Sequence, residues 1–239
     1  EDPLLAGEMG ASFVSGLQEE GVSACIKHFA INNQENFRFM GNSVADERAL
    51  RELYLKPFEI AVKKGKPGAV MTAYNRVCGT FASENRKLIA DILRGEWKFD
   101  GIVMSDWGGT HDRAEGIRAG EDLEMPGDTS VSLQKIHDAL CDGSLAAKDA
   151  DACIVRILGA VERWTAAPRA ASFDREAHAA LAAEVAADSA VLMKNDGILP
   201  LDPAKPLCVI GDLFAQMRYQ GAGSSMIRPT EVITHRDAF

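Results

Sequence analysis

GIVMSDWGGT, residues 101–110, runs from a glycine through apolar positions to Asp106 and Trp107 and then turns on two glycines. An apolar run without in/out alternation reads as a strand buried on both faces. Its end carries the information, because a carboxylate and the largest aromatic ring stand where the strand surfaces. Alone, the run leaves two readings open. In one, Asp106 is a chemical carboxylate and Trp107 an aromatic wall, with glycine backbone free to approach a ligand. In the other, Asp106 caps a helix beginning near Thr110 or sits in a turn, and Trp107 packs on the fold.

Working outward, strand and helix alternate. Residues 7–20 predict a helix, VSACIKHFA (22–30) a strand, and about 46–64 a helix with Leu50, Leu53, Phe58 and Ala61 near helical spacing. Gly65, Pro67 and Gly68 break the chain before the apolar run GAVMTAY. A helix over about 84–94, the strand 101–105, a helix over about 110–118 and a brief strand DLEM (122–125) follow. This is the pattern of a parallel sheet covered by helices, in which right-handed crossovers bring every strand's C-terminal end to one side. Lys27, His28, Met71, Tyr74, Asp106, Trp107, Glu124 and Met125 are therefore expected to converge at one rim. Such a rim suits the active-site end of a (β/α) barrel.

Two helices, about 131–142 and 146–164, come next, and TAAPRAASFD (165–174) reads as a linker. A helix over 175–189, the strand SAVLMK, an NDG turn at 195–197 and the strand LCVIG (207–211) open a second α/β unit. The expected organisation is thus residues 1–164, a linker 165–174, and residues 175–239.

Bulk properties narrow the function. The 239 residues are 46% hydrophobic, enough for one large core or two modest ones. A net charge of −9, from 26 Lys+Arg against 35 Asp+Glu, disfavours nucleic acid and anionic membrane surfaces as partners. No apolar run approaches the roughly 20 residues of a membrane-spanning helix. Residues 1–20, opening at Glu1-Asp2-Pro3, lack the pattern of a signal peptide. Cys25, Cys78, Cys141, Cys153 and Cys208 are scattered, which predicts mostly reduced, buried thiols. Neither they nor the five histidines show metal-ligand spacing, so no metal and no cofactor are expected.

The remaining candidates are individually plain. Lys27 and His28 are adjacent and in a regular strand would face opposite sides, so a shared pocket requires the chain to leave extended geometry there. Lys27 as a rim residue and His28 as a satisfied core histidine is the simpler account of that pair. Arg38 lies in ordinary loop composition, and Tyr74-Asn75 reads equally as a turn with a buried ring.

Together and in order, these runs resemble glycoside hydrolase family 3, in particular its β-glucosidase branch. The matching stretches are KHFAINNQEN (27–36), ERALRELYLKPFEIAV (47–62), VMTAYNRVCGTFASEN (70–85), GIVMSDWGGTHD (101–112), AGEDLEMPG (119–127) and VLMKNDGILPL (191–201). The resemblance implies the C-terminal part of a (β/α)8 TIM-like barrel followed by the beginning of an α/β sandwich domain. It implies that Asp106 is a catalytic nucleophile forming a glycosyl ester with net retention. Lys27 and Arg38 would favour its charged form. With His28 they would hold sugar hydroxyls, while Tyr74 and Met71 line the pocket and Trp107 offers a platform to the sugar ring. Non-proline cis peptides are implied around Lys27 to Phe29. The GAGSS run (221–225) resembles a loop that reaches the sugar site, with Ser224 or Ser225 as the contact. It lacks the phosphate-loop pattern GxxxxGK[ST].

The resemblance also implies a gap. EDPLLAGEMG resembles the middle of the family's barrel, and the acid/base glutamate is expected beyond Phe239, so no acid/base residue is assigned and the 239-residue chain alone is expected to be inactive or poorly folded. Cys78 stands where Asn is more usual, and Glu121 where an apolar residue is common. KHFAINNQE lacks the KHFPGHG-like run of the N-acetylglucosaminidase branch. The partner expected is a small carbohydrate, a β-glucoside or β-linked oligosaccharide. A β-xylosidase-like enzyme, a Schiff-base aldolase using Lys27 and a noncatalytic sugar-binding remnant are the alternatives.

Overall fold

The computed structural model describes residues 2–127, 130–168 and 172–239. The chain divides into two units, Glu1–Phe173 and Asp174–Phe239.

The first unit opens on α1 (Pro3–Glu19), four residues earlier than its apolar pattern predicts. The reason is local: Asp2 Oδ1 accepts from the N–H groups of Leu4 (2.8 Å) and Leu5 (3.0 Å), and Pro3 fills the first turn, where a missing N–H costs nothing. Strand β1 (Cys25–Phe29) and the two-residue β2 (Asn42–Ser43) follow. The helix expected over 46–64 is a continuous helical stretch in four pieces: α2 (Glu47–Ala49), a π-type turn at Leu50–Tyr54, α3 (Lys56–Ile60) and a second π-type turn at Ala61–Gly65. Asp46 caps its start through the Ala49 N–H at 2.7 Å. Pro57, unable to donate one turn back, lies where the ladder re-registers.

Strands β3 (Ala69–Thr72) and β6 (Ile102–Ser105) complete the main sheet, whose order is β1-β3-β6, all parallel. Between them, β4 (Arg76–Val77) and β5 (Thr80–Phe81) form a hairpin that pairs with β2 in a small second sheet. Its turn residues Cys78 (φ 49°) and Gly79 (φ 99°) are both left-handed, as a two-residue type I′ turn requires. The π-helical segment Lys87–Glu96 lays Leu88, Ile89, Ile92 and Leu93 on the sheet. Phe29 is fully buried edge-on to Phe58 (5.2 Å) and Trp97 (6.0 Å). Each such side chain contributes about 1.5–3 kcal/mol of burial.

The strand expected at 122–125 is reduced to a single bridge from Leu123 to Met104. Asp122 takes the Val103 N–H with its carboxylate (2.8 Å), and Pro126 has no N–H to extend a ladder. Helices α4 (Arg113–Ala119), α5 (Val131–Cys141) and α6 (Ala147–Ala166) close the unit. Because α6 runs to Ala166, the first two residues of the expected linker are helical, and its residues 169–171 lie outside the described residues.

The second unit contains α7 (Arg175–Asp188), capped by Asp174 on the Ala177 N–H (2.9 Å), and the short α8 (His235–Ala238). The expected Asn195 turn forms, with Asn195 Oδ1 accepting from Gly197 N (3.0 Å) and Leu199 N (3.1 Å). The strands expected at 189–194 and 207–211 do not form. A strand exists through its neighbours, and these apolar segments meet none within the unit, leaving Val191, Met193 and Ile210 exposed. The cysteine expectation also needs correction: all five are free thiols, yet only Cys153 is buried. Among the described residues no helix is long and apolar enough to cross a membrane.

Candidate active site

The site forms where β1, β3 and β6 end. Asp106 directly follows β6, and its N–H still donates to Thr72 O of β3 at 3.3 Å, so the carboxylate starts from a fixed backbone. The turn after it is closed by Gly109 N to Asp106 O (2.8 Å) and Gly108 N to Met125 O (2.7 Å). Gly108 has φ 80°, a conformation that favours glycine. The capping alternative for Asp106 falls away, because α4 begins at Arg113 and is capped by Asp112 on the Glu115 N–H at 3.1 Å.

Asp106 Oδ1 accepts from the Trp107 N–H at 2.7 Å, and His28 Nε2 lies 3.1 Å from Oδ2. The Asp106 side chain keeps 16% of its surface open. His28 reaches it from a stretch that leaves regular strand geometry: the Lys27-His28 and Phe29-Ala30 peptides are cis, and the β1–β3 register shifts between Ile26 and Phe29. Burial lowers the His28 pKa below its ordinary 6.5, outweighing the pull of Asp106, with the Lys27 and Arg38 cations acting in the same direction as burial. At neutral pH the imidazole is therefore uncharged, and the Nε2–H tautomer donates to the carboxylate.

Tyr74 closes the other side. Its ring is buried and its Oη donates to Trp107 O at 3.1 Å. Burial, then the neighbouring Asp106, raises the phenol pKa, which keeps it a proton donor. Arg38 stacks over the Tyr74 ring at 4.6 Å and pairs with Glu35 at 3.3 Å. Phe39 packs against Tyr74 with centroids 4.2 Å apart.

The structure thus brings His28, Tyr74, Trp107 and Asp106 together, with Arg38 behind Tyr74. Met71, half-buried, lies on β3 in register with Met104. Trp107 presents 60% of its surface to solvent. Lys27 is exposed and lines a groove with Phe58 and Ala61, and among the described residues neither it nor Arg38 forms an ion pair with Asp106. Ser224 is exposed on a 3-10 turn, Gly223–Ser225, of the second unit. Among the described residues no three His, Cys, Asp or Glu side chains are grouped to hold a metal ion.

Several supporting residues escape sequence reasoning. Asn75 Nδ2 lies 3.2 Å from Ile31 O and 3.0 Å from Arg76 O, tying the segment after β3 to the segment after β1. Asp122, fully buried, holds Arg94 and Arg156, each at 2.6 Å. Its only signal was a carboxylate inside an apparent strand. Phe39 gave no signal, because its loop has ordinary composition.

A carboxylate, an imidazole and a phenol at the C-terminal rim of a helix-covered parallel sheet define an α/β protein with a candidate ligand site at the strand ends. The profile described as "Glycosyl hydrolase family 3 N terminal domain" matches residues 1–160, and the chain belongs to that family. It is 44% identical to thermostable beta-glucosidase B of Acetivibrio thermocellus over 97% of this chain and 31% of that protein. It is 41% identical to an exo-alpha-(1->6)-L-arabinopyranosidase of Bifidobacterium longum over 99% of this chain and 33% of that protein. Among solved structures, beta-glucosidase 3B of Thermotoga neapolitana in complex with alpha-D-glucose superimposes with a TM-score of 0.93 at 39% identity, over 100% of this chain and 35% of that one. The chain therefore spans about a third of the length of these relatives.

Proposed function

We propose that Asp106 is the nucleophile of a retaining β-glycosidase acting on terminal β-D-glucosyl residues. The observation that carries this reading is the Asp106 carboxylate, partly open, with neutral His28 Nε2 at 3.1 Å on one oxygen and the Trp107 N–H at 2.7 Å on the other. One Asp106 oxygen attacks the anomeric carbon, the bond to the aglycone oxygen breaks, and water then cleaves the glycosyl ester with net retention. His28 orients the carboxylate without adding charge. The Tyr74 phenol, its O–H given to Trp107 O, walls the site beside the carboxylate, and exposed Trp107 meets the C–H face of the sugar. Lys27, Arg38 and Met71 complete the sugar contacts of the first unit in this reading. The names of the relatives support glucose as the sugar, and the Bifidobacterium relative favours a second reading, the same chemistry on a different exo-linked sugar.

In the same reading residues 1–164 belong to the barrel, 165–174 link, and 175–239 begin a sandwich domain. No acid/base residue is assigned within the 239. A retaining glycosidase uses two carboxyl groups about 5–5.5 Å apart, and general acid assistance is worth on the order of 10²–10⁴ in rate. The 239-residue chain on its own is accordingly expected to be inactive, and robust aryl β-glucoside hydrolysis by it would refute that part. For the nucleophile, the product of the complete reading frame is treated with a 2-deoxy-2-fluoro-β-glucoside and digested for mass spectrometry. A glycosyl label on the peptide carrying Asp106 is expected, and a label on another residue overturns the assignment.

A further inference from the structure

The turn that follows Trp107 ends on Thr110, and Thr110 is held from beneath by a buried acid. Its Oγ1 donates to Glu121 Oε2 at 3.0 Å, and Arg113 Nη1 lies 3.4 Å from the same oxygen. The better bonds of Arg113 go to backbone, Nη1 to Glu121 O at 3.1 Å and Nη2 to Asp122 O at 2.7 Å. Glu121 has 0% exposure, and among the described residues its Oε1 has no hydrogen-bond partner. The slot is also tight, since a Cβ at Gly116 would come within 2.6 Å of Glu121 Oε2.

A carboxylate ion in such a slot would leave one charged oxygen unsatisfied, which is costly in a buried setting. Burial pushes the Glu121 pKa up to about 8, against the pull of Arg113 and the Thr110 bond, and Glu124 and Glu84 add to the rise. From α6, Cys153 offers only a thiol to Glu121 O at 3.4 Å. The guanidinium groups of Arg94 and Arg156 are committed to Asp122.

We propose that Glu121 is a positioning residue that works as a neutral carboxylic acid, accepting the Thr110 hydroxyl and so fixing the far end of the Asp106–Thr110 turn. The proposal rests on Asp106 being the nucleophile. On ionisation, either Arg113 turns away from the two carbonyls it binds or water enters the slot, and both displace Thr110. Gly109, next in the chain, is hydrogen-bonded through its N–H to Asp106 O (2.8 Å) and through its carbonyl to Ser83 Oγ (2.9 Å), so the displacement reaches the nucleophile.

The test is the rate at which 2,4-dinitrophenyl 2-deoxy-2-fluoro-β-glucoside labels the product of the complete reading frame between pH 6 and 9. Its leaving group needs no proton, so an acid/base group does not shape the profile. At pH 9, with a pKa of about 8, about a tenth of Glu121 remains neutral, and a tenfold fall in labelling rate is expected. In Glu121→Gln, which keeps a neutral acceptor, the rate at pH 9 should stay within about twofold of that variant's own rate at pH 6. A fall shared by Glu121→Gln, or no fall in the unmodified protein, overturns the proposal. If Glu121→Gln does not fold, Thr110→Val cuts the same link, and a retained alkaline fall in that variant overturns the proposal equally. Failure of Asp106 to label even at pH 6 refutes the nucleophile assignment and this inference with it, whereas labelling with an unaltered profile refutes the inference alone.

Discussion

Replacing Asp122 by Asn tests whether the buried charge network beneath β6 holds that strand in place. Asp122 Oδ2 accepts from Arg94 Nη2 (2.6 Å) and Val103 N (2.8 Å), and Oδ1 accepts from Arg156 Nε (2.6 Å). The carboxylate is fully buried, while the Arg94 and Arg156 side chains are 14% and 24% exposed. Asn keeps the shape but retains one acceptor oxygen, and its NH₂ must face either a guanidinium or the Val103 N–H. Breaking a fully buried pair costs about 3–5 kcal/mol, and residual solvent access to the two arginines points to the lower end, about 3 kcal/mol. With a urea m-value of about 2 kcal/mol/M, the unfolding midpoint should fall by about 1.5 M. Far-UV circular dichroism with Trp fluorescence as second probe measures it on the purified protein. A fall under about 0.5 M would mean that the network contributes no more than an exposed pair, and the argument from burial would be refuted.

Two further outcomes follow from the local geometry. The His28 ring should titrate by NMR with a midpoint below 6.5, because burial outweighs Asp106. The folded pKa being lowered, stability is undiminished above pH 6.5 and declines as pH falls below it, and a midpoint at or above 6.5 contradicts this account. Cys78→Asn should raise stability by about 0.5–1 kcal/mol, since Asn accepts the left-handed φ of 49° more readily than Cys. A thermal midpoint that is unchanged or lower would show that the Cys78 Sγ contact with Ala45 O, at 3.5 Å, outweighs the turn preference.

The parallel sheet was legible because β3 and β6 are near-continuous apolar runs, although only β3 is buried along most of its length, while β1 leaves Cys25 and Lys27 exposed. Asp106, His28 and Tyr74 were legible because strand ends share a rim. What failed depends on partners far away in sequence. The apolar segments 189–194 and 207–211 have strand composition, yet composition cannot supply a neighbouring strand. Glu121 read only as standing where an apolar residue is common, since nothing in the sequence announces that Thr110, Arg113 and Gly116 enclose it. Asp122 read as part of a strand for the same reason: Arg94 and Arg156 lie 28 and 34 positions away. Exposure of Cys25, Cys78, Cys141 and Cys208 contradicts a rule about cysteine averages, which says nothing about a given edge strand, turn or helix end.

The pairing order of the sheet gives the His28 contact a second meaning. Because β3 lies between β1 and β6, the two backbones are separated by two strand spacings, about 9.5 Å. Two side chains bridge that span with 3.1 Å between their ends, so the contact ties the two outer strands together across the middle one. The imidazole–carboxylate distance is therefore a gauge of how β1 and β6 stand about β3, and a perturbation that shifts either outer strand's end will register there before any strand is lost.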